Sequence, residues 1–211
     1  MAVTDYASLQ TAINSWYNRT DVSTLVDYFI QIGENKIYRD IFTLNQGKGI
    51  TQIETSLSST IATGVIAVPS DLLAIKTLYV VSSGNSYLLE RKTTEFIYST
   101  FPSRTADNLP GYFAQEGTNF IFGPYPDSAY TISGTYWQKA AGLSGSNTTT
   151  WMTSNIPDIL LAACNVAVAM QVQDPDNLQV WTSLYNDQMG AFITAEKAKA
   201  YSGSSLAISP S

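Results

Sequence analysis

Few residues in this chain are equipped for chemistry. Its 211 residues include no histidine. That removes the commonest general base, the commonest metal ligand and the side chain that titrates nearest neutral pH. The single cysteine, Cys164, excludes an intramolecular disulfide and any cysteine-based zinc cluster. It lies in the apolar run 160–170, Leu-Leu-Ala-Ala-Cys-Asn-Val-Ala-Val-Ala-Met, where a small core residue is expected rather than a nucleophile. Gln46-Gly-Lys-Gly49 lacks the spaced glycine and the Lys-Ser/Thr pair of a phosphate-binding loop. Asp174-x-Asp176 lacks the other ligands and the closing glutamate of a calcium loop, so helix capping is its expected role. No pair of carboxylates is singled out for glycosidic chemistry. Tyrosines such as Tyr112, Tyr125, Tyr130 and Tyr136 fall among predicted strands, where aromatic rings can stack bases. Tight nucleic-acid binding also needs a basic groove. The eleven Lys and Arg are scattered, and their densest cluster is Glu90-Arg-Lys92. Packing in a core or an interface is therefore the expected use of the aromatics. No catalytic residue, metal ligand or cofactor site is predicted, and the chain is not expected to be an enzyme.

Composition points to an assembly subunit. Hydrophobic residues make up 45% of the chain and charged residues 13%. Free soluble domains carry roughly a quarter to a third of their surface residues as charges, so part of this surface is expected to be covered by neighbours. The formal net charge is −6 and the sequence pI about 4.5. An acidic surface repels DNA, as a conduit for sliding DNA requires. Residues 1–6 show no basic segment leading into an apolar one. The longest apolar run, 159–170, is too short to span a bilayer. A soluble chain made in a cytoplasm, with no membrane partner, is the expectation.

The elements that must position these residues fall into three stretches. Thr4 or Asp5 can cap a first helix, with Tyr6, Leu9, Ile13 and Trp16 or Tyr17 on one stripe. Asn18-Arg-Thr-Asp21 breaks it, and Asp21 or Ser23 caps a second helix. Leu25, Val26, Phe29, Ile32, Ile37 and Ile41 form that helix's buried face, and Gly33 is either a weak point or a close helix contact. The middle is Ser/Thr-rich and β-branched. Strands are predicted at 50–57, 65–68, 76–81, 87–91 and 130–137, with a short helix begun at Thr93. The clearest hairpin is 112–126, where Phe120 and Phe122 alternate with Ile121 and Gly117 and Asn119 make the turn. Pro124 and Pro126 end its second strand. After the loop 142–150, Asn155 caps a helix with Pro157 in its first turn. A last helix follows Asp174, with Leu178, Trp181, Leu184, Tyr185, Met189 and Phe192 as its stripe.

The predicted fold class is α+β. An antiparallel four-helix bundle is formed by the N- and C-terminal segments, with an inserted antiparallel β module. Residues 1–46 supply the first helix pair, 47–150 the β module, 151–201 the second helix pair and 202–211 a flexible tail.

Five stretches, in this order, carry a resemblance. They are 27–40 (Asp-Tyr-Phe-Ile-Gln-Ile-Gly-Glu-Asn-Lys-Ile-Tyr-Arg-Asp), 68–73 (Val-Pro-Ser-Asp-Leu-Leu), 119–124 (Asn-Phe-Ile-Phe-Gly-Pro), 130–136 and 151–161. Through them the chain resembles the head-to-tail adaptor, or connector, proteins of short-tailed bacteriophages over nearly its whole length. The resemblance implies a dodecameric ring in the virion neck, beneath the portal protein, offering a platform for the tail nozzle and tail fibres. Genomic DNA would pass through it during ejection without specific binding. The resemblance brings no catalytic residues. Two other classes stay open on the sequence: a carbohydrate- or receptor-binding virion module, and a tail-associated hydrolase.

The tail is Ser/Gly/Pro-rich yet keeps Tyr201, Leu206, Ile208 and Pro210. These four are the predicted partner-binding residues. They would be ordered on the portal or, alternatively, on the neighbouring copy in the ring.

Overall fold

The computed structural model of the chain describes residues 2–61 and 63–200. In chain order the helices and strands are α1 (Tyr6–Tyr17), α2 (Thr20–Ser23), α3 (Val26–Leu44), a 3-10 turn (Thr51–Ile53), β1 (Glu54–Ile61), β2 (Val65–Ala67), β3 (Leu72–Ser82), β4 (Asn85–Leu88), β5 (Glu90–Arg91), α4 (Thr94–Thr100), β6 (Tyr112–Glu116), β7 (Asn119–Gly123), β8 (Tyr130–Gln138), α5 (Trp151–Asn155), α6 (Pro157–Gln171) and α7 (Pro175–Ala200). They form two compact units. One takes the chain up to Gln52 and from Ala140 onward, and the other is Ile53–Lys139.

The helical unit is built around α6. Ten of its residues between Ile159 and Ala169 are buried, so it is enclosed all round, as a central helix is. Pro157 opens it at a position where a missing N–H costs nothing. Both α3 and α7 pack on it, and α1 lies against it. A Cβ at Gly33 of α3 would stand 2.8 Å from the Cys164 Sγ and 3.1 Å from the Cys164 backbone nitrogen. Gly33 is therefore a close helix contact, and its missing side chain lets α3 and α6 approach. Asp5 starts α1 with a capping box: its carboxylate accepts the Ser8 N–H at 2.8 Å, and its own N–H donates to the Ser8 hydroxyl at 2.9 Å. Asp174 starts α7 by accepting the Asn177 N–H at 3.1 Å.

The strand unit holds two four-stranded sheets, ordered β1-β8-β3-β4 and β2-β7-β6-β5. The first is antiparallel throughout, and the second contains a parallel pair, β5 with β6. Alternate residues of both sheets (Leu57, Ile61, Leu78, Val80, Phe113, Phe120, Phe122 and Ile132) share one apolar core. Helix α4, capped by Thr93, covers a smaller cluster of Ile97, Ala114 and Ile121. In β8, Gly134 sits opposite Leu78, where a Cβ would lie 2.2 Å from the Thr77 carbonyl oxygen. Glycine is required there by the close approach of β3 across the register irregularity between Ile75 and Thr77.

The predicted four-helix bundle with one antiparallel inserted module is overturned. Seven α-helices occur among the described residues, six of them in the helical unit, and the strands form two sheets. Three local causes account for the difference. Asp21 and Ser23, the alternative caps expected, both lie inside the short helix α2, and α3 has Leu25 as its N-cap residue without a side-chain cap. Asn155, expected to cap the helix at Pro157, ends a separate helical turn, Trp151–Asn155, and α6 follows Ile156 without a side-chain cap. The alternation of apolar residues identifies a strand and its buried face but not its neighbour. It therefore could not reveal that Leu89 interrupts the chain between β4 in one sheet and β5 in the other.

Candidate functional site

The side chains best suited to chemistry are occupied in holding each unit together. Cys164 is fully buried, and burial, with the Glu34 carboxylate nearby, pushes its thiol far above the ordinary range. A thiolate, the reactive form, is correspondingly scarce. Glu34 itself is buried in α3 and accepts the Leu143 N–H at 3.1 Å. Asp40 accepts the Tyr185 hydroxyl at 2.6 Å and the Lys36 ammonium at 2.8 Å, while Lys36 stands 4.3 Å from the centre of the Tyr185 ring. Burial first, and then Asp40, push the Tyr185 phenol well above its usual value. The Tyr38 hydroxyl accepts both the Ala140 N–H and the Trp151 indole N–H, at 3.1 and 3.2 Å. Asp27 accepts hydrogen bonds from the Tyr6 hydroxyl and the Gln10 amide, which ties α1 to α3. The stretch 27–40 is thus the hub of the helical unit rather than a reactive site.

The same holds in the strand unit. Asp71 accepts the Tyr136 hydroxyl at 3.0 Å with its side chain and the Lys139 N–H at 2.7 Å with its carbonyl. Arg104 donates to the Phe122 carbonyl at 2.8 Å and lies over the rings of Tyr98 and Tyr125. One cleft of about 380 Å³ opens beside β3, lined by residues that include Ile75, Leu78, Leu88, Leu89 and Phe113. Its lining is mainly apolar, with Lys76 engaged by Glu54 at 2.6 Å and Glu90 by Lys92 at 2.6 Å. Among the described residues no group of three or more His, Cys, Asp or Glu is arranged to hold a metal ion, and no helix is long and apolar enough to cross a membrane.

The remaining candidates are surfaces. In the helical unit, of the two alternatives for the end of the α1 stripe, Tyr17 is half-buried, while Trp16 is 62% exposed and sets its ring edge-on to Trp181 with centroids 5.0 Å apart. Leu184, expected to be buried, is exposed. The buried ladder of α7 is Trp181, Tyr185, Met189 and Ile193, and its strict four-residue spacing was the signal that leaves Leu184 aside. In the strand unit β4 is exposed at all four positions. On β4, Leu88 is 63% and Tyr87 47% exposed. The sequence reading recognised a hairpin here but missed that its second strand stands at a sheet edge. The four predicted partner-binding residues, Tyr201, Leu206, Ile208 and Pro210, lie outside the described residues.

What these two units offer is therefore surface, with Cys164, Glu34, Asp40 and Asp71 committed internally. No curated protein matches the chain significantly. The sequence does match the SU10 adaptor protein family over residues 4–208, a span that takes in both units. The chain belongs to the SU10 adaptor protein family, and is thus a bacteriophage structural protein of the head–tail connection.

Proposed function

We propose that this protein is the head-to-tail adaptor of a short-tailed phage, made in the host cytoplasm. Twelve copies form a ring that joins the portal protein to the tail nozzle and tail fibres and lines the channel through which DNA leaves. The observation that carries this reading is the family match across nearly the whole chain. The acidic balance, −6 at neutral pH, and the scattered cations agree with a wall past which DNA slides without adhering. The low charged fraction agrees with a surface largely covered in the assembly.

The tail 201–211 is proposed to supply part of the attachment. Ordering it costs roughly 1–2 kcal/mol of backbone entropy per residue. Its apolar residues would therefore bind weakly per copy, and the symmetric ring would supply avidity. The test is native mass spectrometry of the purified chain mixed with the portal ring of the same phage. Stoichiometric binding of adaptor copies to portal is expected, and deletion of residues 202–211 should weaken it while leaving the chain folded. Absence of any portal complex would overturn the adaptor reading. Undiminished affinity of the truncated chain would overturn the role of the tail alone.

A further inference from the structure

The strand unit treats the edges of its two sheets differently. In the second sheet the edges are blunted. β5 is two residues long and both are charged, and β2 is three residues long and is soon followed by Pro69. Short length, charge and proline are the usual protections against pairing with another chain. In the first sheet the edges lack proline and unengaged charge, although β4 is only four residues long. β1 is eight residues long, contains no proline, and carries its only charge at Glu54, which is engaged by Lys76. β4 contains neither charge nor proline. Each has a strand partner on one side and no strand on the other among the described residues.

From this we infer that copies of this chain join edge to edge, β4 of one copy pairing with β1 of the next, so that the first sheet continues from subunit to subunit. The directions fit. β1, β8, β3 and β4 alternate, so β1 and β4 of one sheet run in opposite senses. A neighbouring copy brought alongside in the same orientation presents its β1 antiparallel to β4, which is the stronger kind of ladder. A sheet with an odd number of alternating strands would give a parallel junction. The contact is heterologous, and such contacts close into rings when the rotation per copy permits.

The side chains fit as well. Through Leu57, Gly134, Leu78 and Val80, the register places Tyr87 on the core face of the sheet. Yet Tyr87 is 47% exposed, and no strand lies beyond that edge among the described residues. On the opposite face, Ser86 and Leu88 meet the side on which β1 presents the small exposed residues Ser56, Ser58 and Thr60. A row of small hydroxyl side chains leaves room for the exposed Leu88. Closure into a ring rests on the adaptor reading above, while the pairing itself stands on the two edges.

Cysteine pairs test this, because the native Cys164 is buried and does not compete. Ser56→Cys, Ser58→Cys and Thr60→Cys would each be combined with Ser86→Cys, since the register along β4 is one of a few values. Singly substituted chains should stay unlinked on oxidation. A β1 variant mixed with Ser86→Cys should give disulfide-linked dimers and nothing larger. A chain carrying both cysteines at the matching register should give a ladder of multimers. Linked dimers from Ser86→Cys alone, or from a β1 variant alone, would show two-fold pairing and overturn the proposal. If the wild-type chain forms rings by native mass spectrometry but no β1 variant cross-links to Ser86→Cys, the edge pairing is wrong and the ring reading survives. If the wild type remains monomeric, alone and with portal, and no cross-link forms, both fall.

Discussion

The two units bury different kinds of core. The strand unit's core is apolar throughout: Phe113, Phe120, Phe122, Leu78, Val80 and Ile132 meet between two sheets. The buried polar residues Glu34, Thr153, Asn165 and Glu196 all lie in the helical unit. Asn165 is wholly buried, and neither its side-chain oxygen nor its nitrogen has a hydrogen-bond partner among the described residues. The side-chain oxygen of Asn14 in α1 is also buried and unpartnered. A buried polar group without a partner costs about 1–3 kcal/mol. The helical unit therefore carries a desolvation cost that the apolar core between the sheets does not. The difference teaches that stability is left unused where polar side chains are buried among the helices.

The comparison breaks most easily in the strand unit. Phe122→Ala, at a fully buried position, should cost about 3–5 kcal/mol by opening a cavity between the sheets. Leu160→Ala in α6 is buried to the same degree and should cost about 2–5 kcal/mol. Chemical denaturation followed separately by a strand-unit aromatic signal and by Cys164 labelling reads the two units apart. A loss below about 1 kcal/mol at Phe122, against the usual range for large-to-small changes, would remove the case for a tightly packed core between the sheets.

Gly33→Ala comes next. The added methyl would meet both a sulfur and a backbone nitrogen of Cys164. The sulfur can turn slightly, but the backbone of a central helix cannot. Overpacking of this kind costs about 1–3 kcal/mol. Cys164 should then react faster with a thiol reagent at neutral pH, since the α3–α6 contact is what shields it. Unchanged stability and unchanged labelling would mean that α3 and α6 are looser than their spacing implies.

These positions also mark how far the sequence could be read. The stripes of α1, α3 and α7 were legible because one face of each is buried and period follows burial, whereas β7 is buried on both faces and its hairpin was legible from the turn at Gly117 and the prolines that end it. The choice at Gly33 was visible only as two alternatives, because which helix faces it is a long-range fact. α6 was recognised as an apolar helix, but a helix buried all round carries no stripe from which to place its neighbours. The capping reading was right where Asp5, Thr93 and Asp174 act on their own turns. It failed for α3, which starts at Leu25 after the short helix α2. Of the candidate surfaces, the low charge of 54–61 and 85–88 was there to be read. That both are edges of one sheet was not, since strand order depends on contacts far apart in the chain. Two of the five stretches that carry the family resemblance, 27–40 and 119–124, are used by the structure for internal support.

Replacing the unpartnered amide sharpens the comparison in the other direction. Asn165→Leu keeps the side-chain shape approximately and removes two buried polar atoms. It should raise the stability of the helical unit by about 1–2 kcal/mol, the lower part of the cost of leaving such groups unsatisfied. The strand unit, reported by its own signal, should not change. Loss of stability in the variant would show that a water or a partner satisfies Asn165, and the contrast between the two cores would shrink accordingly.

The smallest effect is the most specific to the helical unit. The Tyr17 hydroxyl donates to the Asn165 carbonyl at 3.3 Å. Burial first, and then the negative charge of Asp174, push its phenol up from 10.0 to about 12, against a lowering hydrogen bond with Trp181. The folded state therefore holds this proton more tightly than the unfolded chain does. Stability from this source is fully present below about pH 10, where the unfolded tyrosine is still protonated, and is lost as pH rises through the folded value near 12. Tyr185 in the same unit is shifted in the same direction and adds to the loss. In the strand unit, burial first and then Asp71 push the Tyr136 phenol up, while the shifts at Tyr98 and Tyr130 belong to phenols whose first cause is a surface carboxylate hydrogen bond, so the contribution of those two is screened by solvent. Denaturation midpoints measured from pH 9 to 12 should fall more steeply for the helical unit than for the strand unit. Tyr17→Phe should flatten part of that fall while changing little at pH 7. Equal slopes in the two units, or a Tyr17→Phe profile that overlays the wild type, would mean that the polar interior of the helical unit is better solvated than its burial indicates.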